Sequence, residues 1–244
     1  MPGYFDEKSQ DKGRKVTGTP NGYSPWVDKS WFASYATLHS AGEAYKSVLS
    51  DVGATQPVLD DHDVRVVKET LNGTTTYKGS LTGLAGLPDT EADVGGYENY
   101  PNESRAASWD SDADGLPDWW ENHFSLQPQS AKGDTSDANV DSDGNGYTQL
   151  DEYLAWMGKP HYFSSVDKSV TIDLSQAFVG YSNGPAYTAS NAVNGAVTVS
   201  GKVATFKPSA CGLASWTVKV TDKDGSSMSK DMVAFVDNGN GACP

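Results

Sequence analysis

Two short acidic stretches have the residue types and spacing of a metal-binding loop. The first has aspartates at alternate positions, Asp110, Asp112 and Asp114, then a glycine, and closes with Glu121 at the twelfth position of the loop. Alternate side chains of a curled loop point toward one centre, and glycine permits the turn that aims the next carbonyl inward. Calcium prefers about six to eight oxygen ligands. The stretch therefore matches the calcium-loop template.

The second stretch repeats this template, so we define loop 1 as Asp110–Glu121 and loop 2 as Asp141–Glu152. We expect side-chain oxygens and the carbonyl that follows each glycine to bind the ion, together with the ninth residue, directly or through water in loop 1 and through water in loop 2. The predicted ligands are Asp110, Asp112, Asp114, Leu116, Asp118 and Glu121 in loop 1, and Asp141, Asp143, Asn145, Tyr147, Gln149 and Glu152 in loop 2. The alternative is a pair of solvated acidic turns. Two full matches favour two Ca²⁺ ions.

A third ion is a further hypothesis, because the alternation of oxygen ligands extends backward from loop 2. Asp137 and Asn139 precede Asp141 at the same spacing, so the three residues are candidate ligands of one more Ca²⁺. No glycine or closing glutamate fits this frame. The alternative is a loop whose Asp and Asn side chains bond their own backbone.

The composition restricts the partners and the compartment. The chain has 244 residues and a net charge of −14, which argues against nucleic acid and anionic membranes as partners. It has no apolar run of about 20 residues, which a membrane span needs. The two cysteines, Cys211 and Cys243, lie close to the C-terminus and favour one disulfide in a secreted protein; two free thiols are the alternative. The polar N-terminus is unlike a signal peptide, and we expect a piece of a longer chain.

The N-terminal half has little apolar periodicity and is expected to be irregular with short helices. Ser40 and Glu43 form a capping box before one helix, and a second helix is expected from Asp60 to a stop at Asn72–Gly73. Aromatic residues cluster upstream of the first helix. Four tryptophans are candidates for stacking on sugar rings, with packing as the alternative for each: Trp26, Trp31, Trp120 and Trp156.

After Tyr162 the pattern changes to alternating apolar and polar residues with turn clusters between them. The expected strands are 170–174, 196–199, 203–206, 215–220 and 232–236. Several short strands of this kind predict an antiparallel sandwich. Asp222 and Asp224 lie in a cluster that predicts a hairpin turn, with an ion site as the alternative.

These patterns together predict a mixed fold in three parts. Residues 1–108 form a tail-like extension with two short helices, and residues 109–158 form a module of paired EF-hand-like calcium loops. Residues 162–244 form an all-β, immunoglobulin-like antiparallel sandwich. The last part is similar to immunoglobulin-like or cadherin-like modules that are appended to bacterial secreted enzymes.

Five stretches of the sequence resemble a known family. They are Ser40–Leu49, Val52–Pro57, Asp63–Val67, Val94–Tyr97 and the acidic region Trp109–Met157. The first four look like the C-terminal tail of bacterial pectate lyases of the right-handed β-helix type, polysaccharide lyase family 1. The last is similar to an acidic stretch that often follows this tail, and that also occurs beside other secreted carbohydrate-active enzymes. The resemblance implies a tail that packs along the β-helix of a catalytic domain.

The chain departs from this family where the chemistry would be. A parallel β-helix needs many stacked coils of about 20–25 residues, and the sequence shows no such repeat. The family's catalytic arginine lies on those coils, and the arginines here, Arg14, Arg65 and Arg105, have no matching context. No catalytic residue is therefore carried over.

The leading hypothesis is an accessory region of a secreted polysaccharide-degrading enzyme. It would be stabilised by calcium, would pack on a β-helix catalytic domain, and would be structural or would bind a pectin-like cell-wall polysaccharide. One alternative is a pectate lyase in its own right, which cleaves polygalacturonate by β-elimination. The other is a dockerin-like protein-interaction module, because paired calcium loops with short helices resemble dockerins too.

Overall fold

A computed structural model describes residues 35–100, 104–239 and 243 of the chain. The described chain divides into two units between Tyr45 and Lys46. The predicted junctions near 108 and 160 both lie within the second unit. Trp26 and Trp31 lie outside the described residues. No helix in the described ranges is long and apolar enough to cross a membrane.

Two helices begin and end where the capping signals predict. Helix α1 spans Ala41–Asp51, and the Ser40 N–H donates to Glu43 Oε2 at 2.9 Å while the Glu43 N–H donates to Ser40 Oγ at 3.3 Å. Helix α2 spans Asp61–Asn72 and ends at Gly73, whose φ of 62° places it in the left-handed region that favours glycine. Both predicted helices are confirmed.

The segment between α2 and loop 1 contains turns and a short 3₁₀ helix, Glu91–Val94. Carboxylate oxygens organise it. Asp93 Oδ2 accepts the backbone N–H groups of Ser80, Asp89 and Thr90 at 3.0, 2.8 and 3.2 Å, and Asp89 Oδ2 accepts those of Leu81 and Thr82. The hydrogen bonds to Asp93 lower its pKa to about 2. The ionised carboxylates therefore replace regular secondary structure as the support of this segment.

Two sheets form the C-terminal half of the described chain. The strands are β1 His161–Ser165, β2 Val170–Asp173, β3 Ala186–Val193, β4 Gly195–Ser200, β5 Val203–Pro208, β6 Gly212–Thr221 and β7 Ser227–Asp237. One sheet has the order β1-β7-β6-β3 and the other has the order β2-β5-β4. The predicted sandwich-like arrangement is confirmed at this level.

The core between the sheets follows the alternation in the sequence. Along β6, Ala214, Trp216, Val218 and Val220 are buried at every second position. The ring of Phe206 from β5 stacks on Trp216 with centroids 4.3 Å apart, so the two sheets meet through an aromatic pair.

Three details of the predicted sandwich are wrong. Strand β1 pairs in parallel with β7, with His161 opposite Val233, so the larger sheet is mixed and not antiparallel throughout. The sequence pattern does not predict β1 or β3, since polar residues interrupt both strands. Leu174 begins a short helix, α5 Leu174–Ala177, after Asp173 caps it through the Ser175 N–H, and therefore does not extend β2.

The predicted hairpin turn after β6 is confirmed, and its carboxylates hold a lysine. Lys46 Nζ donates to Asp222 Oδ2 and Asp224 Oδ2, both at 2.7 Å, and to Ser226 Oγ at 2.8 Å. Burial works against the charge, but these hydrogen bonds raise the pKa of Lys46. A Cβ at Gly180 would collide with the backbone of Lys46, so glycine permits this close approach. These contacts fix the part of α1 that begins at Lys46 to the turn between β6 and β7.

Acid should loosen the segment that Asp93 organises. The folded pKa of Asp93 is about 2 and its ordinary value is 3.8, so its stabilising effect is complete above pH about 4 and is lost as the pH falls toward about 2. We expect the amide-exchange protection of Ser80, Asp89 and Thr90 to fall across this window, measured by NMR. An Asp93→Asn variant should lose the pH dependence. Constant protection in the natural chain would contradict the prediction.

Candidate metal centre

The two loops have the same position relative to secondary structure, since each leads directly into a helix. Loop 1 runs into α3, Asp118–Phe124, and loop 2 runs into α4, Gln149–Met157. A 3₁₀ turn, Ala107–Trp109, precedes loop 1, and turns precede loop 2. Within the described chain each loop therefore has only its following helix, and the helix–loop–helix pairing of EF-hands is not formed.

The backbones of the loops match position by position. The fourth and sixth residues of both loops have positive φ; they are Ala113 and Gly115 in loop 1, and Gly144 and Gly146 in loop 2. The sixth N–H donates to the first aspartate in each case, Gly115 to Asp110 Oδ2 at 3.2 Å and Gly146 to Asp141 Oδ2 at 2.9 Å. The same curled backbone is therefore built twice, as the repeated template predicts.

Loop 1 brings three carboxylates together. One oxygen of each of Asp110, Asp112 and Asp114 lies within 4.8 Å of the others. Each aspartate has one oxygen fixed by a backbone N–H, which comes from Gly115, Ser130 and Leu116 respectively. The second oxygen of each is buried and accepts no hydrogen bond from the part of the chain that the structure describes. In each aspartate, the oxygen that accepts the N–H thus holds in place the second oxygen, which has no partner in the described chain.

Glu121, from the first turn of α3, lies close enough to this group for the charges of Asp112 and Asp114 to act on it. Its side chain is 0 % exposed, and neither of its oxygens has a hydrogen-bond partner among the described residues. Burial, and then the charges of Asp112 and Asp114, raise the pKa of Glu121 to about 8. Burial also raises the pKa of Asp114. Unpaired carboxylates are costly to bury, and a cation at this position would remove the cost.

Loop 2 has the same ligand types in a different electrostatic state. Asp141 accepts the N–H groups of Gly144, Asn145 and Gly146, and the bond from Gly146 is the main reason that its pKa is lowered. The Asn145 side-chain amide donates to Glu152 Oε1 at 3.0 Å and to Asp143 Oδ2 at 3.0 Å. The loop is exposed, and its carboxylates are satisfied by its own donors.

The ninth residue of each loop contacts the second residue of the same loop. Both oxygens of Asp118 accept hydrogen bonds of 2.7 Å from Ser111, one from its N–H and one from its hydroxyl. In loop 2, Gln149 Nε2 donates to Ser142 Oγ at 3.2 Å. Asp118, predicted as a direct or water-mediated ligand, and Gln149, predicted as a water-mediated one, thus each bond across their own loop.

The carbonyl ligands predicted in the two loops lie in different surroundings. Leu116 is fully buried, and its N–H donates to Asp114 Oδ1 at 2.8 Å. Tyr147 is exposed, and its N–H donates to Asn145 Oδ1 at the same distance. The backbone bonds are equivalent, so the difference lies in the packing of the side chains.

The residues of the hypothetical third site have hydrogen-bond partners of their own. The Asn139 amide donates to the Thr135 carbonyl at 2.7 Å, and Asp137 Oδ2 accepts the Gln127 N–H at 2.7 Å. Asp141 is occupied by loop 2. The bonds of Asn139 agree with the alternative of a loop that satisfies its own backbone.

Trp120 and Trp156 are core residues. Only 2 % of Trp120 and 7 % of Trp156 is exposed, so neither offers the open ring face that a sugar needs. They join Leu116, Trp119 and Tyr153 in a second hydrophobic cluster. Leu154 is exposed, because its side chain lies on the outer side of α4.

The second cluster joins the loops to the sandwich through β7. Val233 and Phe235 pack into the cluster with α3 and α4, while Met232, Ala234 and Val236 belong to the core between the sheets. The ring of Phe235 lies 4.4 Å from that of Trp119. The sequence reading missed this contact, although a run of five apolar residues without alternation indicates a strand that is buried on both faces.

The predicted disulfide between Cys211 and Cys243 is present and links the start of β6 to the C-terminal tail. Cys243 packs at the edge of the second cluster. The disulfide indicates an oxidising environment.

Comparison with known proteins adds little to this picture. No family model and no curated protein matches the chain. A solved structure with some similarity is the solution structure of the PKD domain from KIAA 1837 protein, at 17% identity and a TM-score of 0.26. The alignment covers 35% of this chain and 87% of that chain. A TM-score this low supports no inference about the chain. The sandwich is defined by its own strand order and register.

Replacement of Glu121 should abolish most of the calcium response. In EDTA, Glu121→Gln should unfold at the temperature of the natural chain or above it, because the change removes a buried acid without a partner. Calcium at about 100 to 1,000 times its Kd should raise the free energy of unfolding of the natural chain by about 3–4 kcal/mol, and most of this gain should be lost in the variant. Differential scanning calorimetry measures both.

The matched control is Glu152→Gln, the same change at the same position of loop 2. It should keep most of the calcium-dependent gain, because loop 1 stays intact. An equal loss in both variants, or a full gain in Glu121→Gln, would contradict the assignment of the structural ion to loop 1.

Proposed function

We propose that the chain is a calcium-stabilised accessory region of a secreted polysaccharide-degrading enzyme, with a structural role. One observation carries the proposal: the carboxylates of loop 1 present buried oxygens that have no partner among the described residues. Carboxylate oxygens are the donors that calcium prefers, and the donor set of Asp110, Asp112, Asp114 and Glu121 fits a hard cation. Bound calcium would supply the positive charge that compensates these negatively charged oxygens.

Loop 2 fits a second, weaker calcium site. Its candidate ligands Asp143 and Glu152 both accept bonds from the Asn145 amide, which would have to rotate before an ion could bind. The loop is also exposed, so water competes for its ligands. We therefore expect calcium to fill loop 1 before loop 2.

The packing around β7 supports a structural role for the ions. Glu121 lies next to Trp120 on α3, and α3 packs with α4 on Val233 and Phe235. An ion that holds Glu121 would fix α3, and the aromatic cluster would carry this constraint to β7 and the sandwich. The burial of Trp120 and Trp156 favours this role over sugar stacking by these two residues.

The resemblance to pectate lyases and the disulfide support the wider setting. Secretion would give the chain both the oxidising conditions for the Cys211–Cys243 bond and calcium for the loops. The lyase chemistry would lie in a β-helix catalytic domain, with a pectin-like polysaccharide as its substrate.

Apolar side chains near α2 support docking on such a domain. Leu81 is 87% exposed and Tyr97 is 82% exposed, and Leu84, Leu87 and Tyr100 are exposed as well. Contiguous exposed apolar patches mark interaction surfaces, and we propose that these side chains contribute to one. The family's tail packs along a β-helix, and this segment would form the corresponding contact.

Calcium removal should destabilise the module and the sandwich together. Because β7 belongs to both cores, near-UV circular dichroism of the tryptophans and far-UV circular dichroism of the strands should show one shared transition. EDTA should lower its midpoint, and magnesium at equal ionic strength should not restore it, since Mg²⁺ demands shorter octahedral bonds. An unchanged midpoint in EDTA, or separate transitions for the two probes, would overturn the proposed role.

The docking surface is tested with the catalytic domain of a family 1 pectate lyase. Sedimentation velocity should detect association with the chain, and the double change Leu81→Ser and Tyr97→Ser should weaken it at least about tenfold, the equivalent of about 1.4 kcal/mol. Thr198→Ala, on the exposed face of β4, is the control. No association with the natural chain, or equal association with the double variant, would count against this contact.

A further inference from the structure

The side chain of Gln149 connects loop 1 to loop 2. Its Oε1 accepts the indole N–H of Trp120 at 2.9 Å, and its Nε2 donates to Ser142 Oγ at 3.2 Å. Trp120 is the neighbour of Glu121 on α3, and Ser142 is the second residue of loop 2. Gln149 and Trp120 are each 2 % exposed, so water does not compete effectively for these bonds.

Backbone hydrogen bonds support the same connection. The Gln149 N–H donates to the Val140 carbonyl at 2.9 Å, and the Leu150 N–H donates to the Ala138 carbonyl at 3.0 Å. The start of α4 is therefore tied to the segment that enters loop 2. A shift of α3 cannot leave Gln149 in place without breaking a buried hydrogen bond, which costs about 1–3 kcal/mol when one partner remains unsatisfied.

We propose that Gln149 couples the two calcium loops, so that an ion in loop 1 raises the affinity of loop 2. This inference rests on the proposed binding of calcium by both loops. Calcium in loop 1 holds Glu121 and with it α3, which sets the position of the Trp120 indole. Gln149 then fixes Ser142 and the first turn of α4, from which Glu152 reaches its own loop. By thermodynamic linkage, an ion in loop 2 raises the affinity of loop 1 by the same factor.

The coupling also accounts for the burial and the hydrogen bonds of Gln149, the ninth residue of loop 2. A residue that binds metal through water at this position would point into the loop and would be partly exposed. Gln149 is instead buried and bonded to a residue outside its loop. Asp118, the equivalent residue of loop 1, bonds only within its own loop in the described contacts, so the connection is specific to Gln149.

Calcium titrations of the full chain against a competing chelator test the proposal. The affinity of loop 2 is measured with loop 1 filled, in the natural chain, and with loop 1 disabled, in Glu121→Gln. We expect the first value to be about five- to 150-fold tighter, the usual range of coupling between sites. In a Gln149→Met background, which keeps the length of the side chain but removes both hydrogen bonds, the ratio should fall to about one.

A matched control separates coupling from a loss of structure. Gln129→Met, the same change at an exposed glutamine, should leave the ratio unaltered. Near-UV circular dichroism in saturating calcium reports whether Gln149→Met remains folded.

The outcomes distinguish the two proposals. Calcium binding to neither loop would overturn the proposed function and the coupling together. Binding to both loops with the same affinity for loop 2 in the presence and absence of loop 1, or an equal ratio in the natural chain and in Gln149→Met, would overturn only the coupling. If Gln149→Met cannot fold, a ratio of about one in Gln149→Ser decides in favour of the proposal and an unchanged ratio decides against it.

Discussion

Three carboxylates, of Asp110, Asp112 and Asp114, converge in loop 1, and the buried carboxylate of Glu121 lies within range of the charges of Asp112 and Asp114. Each aspartate uses one oxygen to fix the curled backbone, and this leaves the other oxygen with no donor in the described chain. Like charges at such separations repel, and burial increases the repulsion because the local dielectric is low. The raised pKa of Glu121 expresses this conflict. A bound cation would resolve it, and the proposed structural role is that such an ion holds α3 in place through Glu121.

Strand β7 explains why a local metal site would matter to most of the described chain. Its alternate residues enter two different cores, one between the sheets and one beneath the loops. The strand is also the partner of both β1 and β6, so it occupies an interior position in the larger sheet. Disorder in α3 would expose one face of Met232–Val236, the part of β7 that is apolar on both faces. The shared strand is the physical reason to expect the loops and the sandwich to unfold together.

Local signals predicted much of this arrangement. The alternation of aspartates before Gly115 and Gly146 specified the loop backbone, and Ser40 and Asp60 specified the helix starts, because each signal acts within one turn. Local signals do not predict the contacts between segments that are distant in the sequence. Nothing near Trp120 indicates that its indole bonds Gln149, and nothing near Lys46 indicates that it pairs with Asp222. Strands β1 and β3 lack a clear alternation because tertiary pairing, and not local pattern, determines them.

A crystal structure grown in calcium, with anomalous diffraction data, tests the central claim most directly. The account predicts an anomalous peak in loop 1 about 2.3–2.6 Å from oxygens of Asp110, Asp112, Asp114 and Glu121. It also predicts that Glu121 keeps its position in the first turn of α3, with both of its oxygens directed at the ion. A structure in which these carboxylates are instead satisfied by water or by a lysine, with no anomalous peak in loop 1, would contradict the account.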